Sequence, residues 1–212
     1  MFASTAFFQT LDNLSATCYH DGAYKGREVS TLMIDRQHLE DLFREHGFDD
    51  FRWIGGADIV VARWVRMKCI FGCDGYGQSV ACPPNCPPVT ECERFIHEYS
   101  QAVIFHFAKT VADEEERKKW CREVSGRLLE MERTVFLGGH HKAFMMPMSS
   151  SCPQCPECVG DPQDCPHPGT ARPTPEGLGV DLFATVRSVG YPLEVLSDRS
   201  QEMNRYAILL VE

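Results

Sequence analysis

The chain has 212 residues, 43% hydrophobic and 24% charged, with a formal net charge of -9. That length can bury a real core, and the composition is that of a globular protein, neither fibrous nor disordered. Acidic balance without a Lys/Arg-rich stripe argues against a nucleic-acid partner, and no apolar run is long enough for a membrane span. Residues 1–17 carry no Lys or Arg and include Asp12, so the basic start of an export signal is missing. Eleven cysteines in such a chain point to a reducing compartment, where clustered thiols bind metal, and the expected location is the cytoplasm.

Residues 1–30 lack periodicity and are expected to form an irregular N-terminal extension, in which Cys18 and His20 are weak ligand candidates. Residues 31–212 then make the mixed α/β metal-binding domain. Asp35, Leu39, Leu42, Phe43 and Gly47 predict a capped packing helix. Residues 51–54 and 59–65 read as strands, the second leading to Cys69.

The first cysteine group lies in KCIFGCDGYGQSVACPPNCPPVTEC, with Cys69, Cys73, Cys82, Cys86 and Cys92. Three glycines permit a loop wrapped round a metal, and four prolines stiffen it. Thr90 and Glu93 form a capping-box signature for a helix bearing Phe95, Ile96 and Tyr99. That helix puts Cys92 in its first turn, where the macrodipole favours a thiolate ligand, against the competing reading of a buried inert thiol. Tyr76 stands where a radical-SAM motif needs its third cysteine.

Residues 102–108 alternate as a strand inside a sheet. Asp113 and Glu116 open the longest helix, with a stripe of Trp120, Val124, Leu128, Met131 and Val135 and a core Cys121 beside it. Gly138 and Gly139 end it, and His140 and His141, turn residues or proton carriers, lead into a strand over 142–147.

The second group follows in SCPQCPECVGDPQDCPH, residues 151–167, which gathers Cys152, Cys155, Cys158 and Cys165. Two successive CxxC steps converge three sulfurs on one loop, and the spacing C-x2-C-x2-C-x6-C-P approaches the ferredoxin run. A [4Fe-4S] cluster is the first reading, and Zn2+, with His167 as a possible fourth ligand, its competitor. Arg172 beyond the loop is either a cluster counter-charge or an ordinary ion pair. Thr174 and Pro175 predict a helix from Leu178 to Val189, with close backbone packing at Gly177 and Gly179. Residues 193–196 and 206–211 complete the strands. No P-loop, dinucleotide fingerprint or HExxH motif occurs.

Lys68-Cys69, Gly72-Cys73, Tyr76-Gly77, Cys82-Pro83-Pro84, Lys142-Ala143-Phe144, the second cysteine run, Ala171-Arg172-Pro173 and Gly179 to Thr185 together resemble a family of uncharacterised, cysteine-rich, predicted metal-binding proteins. The resemblance covers residues 36–212. It implies metal binding through Cys69, Cys73, Cys82 and the four cysteines of the second run, leaves open whether Cys86 or Cys92 completes the first site, and implies no reaction.

The fold expected is a single mixed α/β domain, a central sheet flanked by helices with two cysteine-rich metal loops. The leading function is a protein holding one or two [4Fe-4S] clusters, with Cys152, Cys155, Cys158 and Cys165 at one and Cys69, Cys73, Cys82 and Cys92 at the other. It would serve redox or electron transfer with a partner protein. The alternatives are an iron-sulfur enzyme with an open iron acting on a small molecule, and a structural zinc protein. Oligomeric state is not legible.

Overall fold

The computed structural model describes residues 35–150, 152–198 and 200–212. The expected N-terminal extension, with Cys18 and His20, lies outside the described residues. Four antiparallel strands, β1 (Phe51–Ile54), β2 (Ala102–Lys109), β3 (Phe144–Met146) and β4 (Met203–Leu210), form one sheet in the order β1-β2-β4-β3. Among the described residues five helices accompany them: α1 (Arg36–Glu45), α2 (Arg63–Gly72), α3 (Val89–His97), α4 (Glu114–Leu137) and α5 (Leu182–Ser188). This is the mixed α/β architecture expected.

Strand alternation divides the core between the two faces of the sheet. On one face, Val103 pairs with Leu209 and Phe105 with Ala207. Phe43 of α1 packs edge-on against Phe105 at 5.1 Å and Phe51 at 5.4 Å between centroids. Helix α4 joins α1, where Arg127 donates to the carbonyl of Gly47. Asp113 caps α4 by accepting from the Glu116 N–H, and the stripe Val124, Leu128, Met131 and Val135 is buried as its spacing requires. On the other face, Ile104 pairs with Ile208 and Ala102 with Leu210. These residues share a core with Ile96 and Cys92 of α3 and Leu182 and Val186 of α5.

Four local expectations are corrected. Residues 59–65 are not a strand: the extended backbone there makes a single bridge, Val61 with Val180, and Val65 N–H bonds the Ala62 carbonyl as α2 begins. Cys69 therefore sits on a helix. The Thr90–Glu93 capping box does not form, because α3 begins at Val89 with Pro88 as its cap, whose carbonyl accepts from Glu91 and Cys92. The expected helix from Leu178 to Val189 is broken. A 3-10 turn over Glu176–Leu178 ends at Gly179, whose φ of 85° is left-handed, and α5 starts afresh with Asp181 accepting from the Ala184 N–H. Residues 193–196 lack strand pairing.

Gly56 fixes how the β1–α2 connection meets α3. A Cβ there would stand 2.1 Å from the Tyr99 carbonyl oxygen and 2.6 Å from that of Ile96, so only glycine admits this approach. Helices α3 and α5 pack on the Ile104 and Ile208 side of the sheet, together with the 3-10 turn at Glu176–Leu178 that α2 meets, whereas Pro153 of the second cysteine loop lies beside Gly126 of α4.

Candidate metal centre

Helix α2 carries Cys69 near its end and Cys73 immediately after it. The chain then turns through residues 74–81, with Tyr76 N–H on the Cys73 carbonyl and Gly77 N–H on the Pro83 carbonyl, and returns Cys82 toward the helix. Cys73 lies close enough to act on the ionisation of Cys69 and Cys82, Cys69 acts on that of Cys82, and Cys86 feels Cys82, Cys92 and Cys69. Burial pushes the thiols of Cys69 and Cys82 up, neighbouring sulfurs adding to it. Burial pushes Cys86 furthest, to about 12, although the Arg66 guanidinium opposes it.

Cys92 stands differently. It is 2% exposed, belongs to the hydrophobic core, and its thiol donates to the Pro87 carbonyl. Burial raises it too, again opposed by Arg66. Cys121, on α4 itself, is buried in the core beside the helix's apolar stripe.

Arg66 is the residue that sequence reading passed over. It donates to the carbonyls of Pro87 and Gly177, and its charge favours the thiolates of Cys69, Cys86 and Cys92. Its Nε is buried with no hydrogen-bond partner. A buried donor left over beside soft thiols suits an anionic, sulfur-rich group. Its position three residues before Cys69 on one helix face is the signal that would have found it.

The second group is built on turns. Cys152, Cys155, Cys158 and Cys165 line one cavity of about 230 Å3 together with His167. Asp161 caps a 3-10 turn over Pro162–Asp164, which delivers Cys165. Cys158 is exposed, and burial works against its charge. The N–H groups of Gly160, Val80 and Val159 and the Ser79 hydroxyl outweigh that, holding the thiol below its usual range. The Val80 N–H is 3.4 Å from its Sγ.

The two groups meet across residues 75–85. The Ser79 side chain favours the thiolates of both Cys82 and Cys158. Asn85 donates to the carbonyls of Gly160, at 2.9 Å, and Ser79, at 3.2 Å, tying the loops together. Ser79 and Asn85 carried no signal of their own in the sequence.

Among the described residues, no three His, Cys, Asp or Glu side chains are gathered as a set that could hold one metal ion. A cubane cluster asks for less convergence, since each thiolate binds a different iron, whereas zinc draws four sulfurs to about 2.3 Å from one ion. Four thiols walling one cavity, and three or four around one turn, fit the cluster's donor chemistry.

Other candidates find separate places. His141 lines a different cavity, with Phe136 and Arg133, in which no cysteine takes part. Arg172 pairs with the buried Glu132 at 2.9 Å, the ordinary ion pair of the two readings. A larger cavity of about 400 Å3 has Cys69 and Cys73 in its wall with Glu176, whose carboxyl burial pushes up. Among the described residues no helix is long and apolar enough to cross a membrane.

The chain matches no curated protein and no solved structure. Residues 52–211, about three quarters of the chain, match the family model described as Predicted metal-binding protein (DUF2284), and the chain belongs to that family.

Proposed function

We propose that this is an iron-sulfur protein with a redox role, in which Cys152, Cys155, Cys158 and Cys165 hold one [4Fe-4S] cluster and Cys69, Cys73, Cys82 and Cys86 a second. Cys86 takes the place that sequence reading offered to Cys92, because Cys86 couples to three of its neighbours while Cys92 is spent in the core. The observation that carries the reading is the placement of Ser79 between Cys82 of one group and Cys158 of the other. Two centres sharing a wall suit transfer of one electron between them and onward to a partner protein.

The clusters would supply reversible one-electron chemistry at potentials set by hydrogen bonds to sulfur and by exposure. The chain's own contribution is the N–H donors on Cys158, the Ser79 hydroxyl and the Arg66 charge, each of which favours the thiolate or a more negative centre. The exposed Cys158 is the side from which a redox partner in a reducing cytoplasm would exchange electrons. The second reading, an enzyme with an open iron, is favoured by the cavity at Cys69 and Cys73.

The test is metal and acid-labile sulfide per chain, with an absorption spectrum, on protein purified without oxygen. Iron and sulfide near about eight each support two cubanes. Stoichiometric zinc without sulfide overturns the iron-sulfur reading.

A further inference from the structure

The largest opening next to a cysteine group has a structural cause. Strand β3 pairs with β4 only at residues 208–210, so residues 203–206 have no strand on that side and become the wall of the cavity of about 400 Å3. That volume falls within the range of small-molecule sites, roughly 300–1,000 Å3. Its remaining walls are mostly apolar: Val180, Leu182 and Phe183 on one side, Met148 and Leu193 on another, with Trp64 and Leu196 partly exposed.

Two cations face this apolar space. Lys68 of α2 and Arg205 of β4 both line it, and neither makes a side-chain hydrogen bond or ion pair with another described residue. Arg205 reaches Glu176 only through its field, and burial holds that carboxyl toward its neutral form. Glu194, the other acid in the wall, is exposed to water. A half-buried guanidinium stays charged and costs free energy until an anion meets it, and its planar fork suits a carboxylate.

We propose that this cavity binds a small organic carboxylate with an apolar body, its acid group on Arg205 and Lys68 and its body among Val180, Phe183 and Leu196. The bound molecule would lie beside Cys69 and Cys73. Binding itself does not require a metal there; only what the molecule meets rests on the reading of those cysteines as ligands.

The experiment is isothermal titration calorimetry of phenylacetate and hexanoate into the full chain purified without oxygen, with phenylacetamide as the uncharged control. Saturable one-to-one binding is expected, weakened about tenfold, roughly 1.4 kcal/mol, in the amide, in Arg205→Gln and in Leu196→Trp, which fills the mouth. Lys68→Gln, on an exposed residue, gives a second variant should Arg205→Gln fail to fold. No saturable binding of either acid, equal binding of the amide, or full affinity in the folded charge variants overturns the proposal. Iron and sulfide measured on the same sample separate the two readings. Clusters without binding overturn the pocket alone, whereas selective binding without iron supports the pocket and overturns the cluster reading.

Discussion

The backbone N–H of Val80 donates to Cys158 Sγ across 3.4 Å, joining residues 78 positions apart. With Gly160, Val159 and Ser79 it outweighs the burial penalty and lowers the Cys158 thiol. Burial takes Cys86 the opposite way, to about 12. Alkylation follows the thiolate fraction, which rises as pH climbs through the folded pKa. In metal-free reduced protein, iodoacetamide should modify Cys158 at a lower pH than any ordinary thiol, and Cys86 only near pH 12 or on unfolding. Ser79→Ala should move the Cys158 profile upward. Peptide mass mapping after pulses at several pH values reads this directly, and Cys86 reacting first would refute the assignment of environments.

Cys86 and Cys92 lie six positions apart and are expected to separate cleanly on substitution. Cys86→Ala should lose the first centre, so iron and sulfide fall by about half, with little change in the stability of the metal-free chain. Cys92→Ala opens a gap in the core and should cost about 1–2 kcal/mol in urea unfolding while both centres persist. The opposite pattern, metal lost with Cys92 and kept without Cys86, would restore Cys92 as the ligand.

What the sequence made legible was the local part. The α4 stripe, the cap at Asp113 and the β2 alternation each declare themselves within a few residues, because period and capping are local properties. The helix at 63–72 did not, since Val61, Arg63 and Val65 alternate like a strand and only the absence of a pairing partner beyond Val180 decides otherwise. The thiol pattern announced both groups by spacing. Their meeting across Ser79 and Asn85, and the field of Arg66, depend on contacts between distant segments that no spacing encodes.

Arg172 and Glu132 test what anchors the second loop. Arg172 Nε donates to both Glu132 oxygens, at 2.9 and 3.1 Å, and its Nη1 donates to the carbonyls of Gly169 and Ala171. Glu132 Oε1 also accepts from the Met145 N–H, so one carboxylate joins α4, β3 and the connector that follows Cys165. The Glu132 side chain is 7% exposed and that of Arg172 22%, which places the pair between the surface and buried limits. Removing only the cation strands a buried carboxylate, so Arg172→Met should cost about 2–3 kcal/mol in urea unfolding, below the roughly 3–5 of a fully buried pair. Glu132→Gln keeps an acceptor for Met145 and should cost about 1–2 kcal/mol. The double variant should then be less destabilised than the two single losses added, because each alone leaves its partner unmet. If the costs simply add, the ion pair does not couple these elements, and the anchoring of the second loop must lie in its turns.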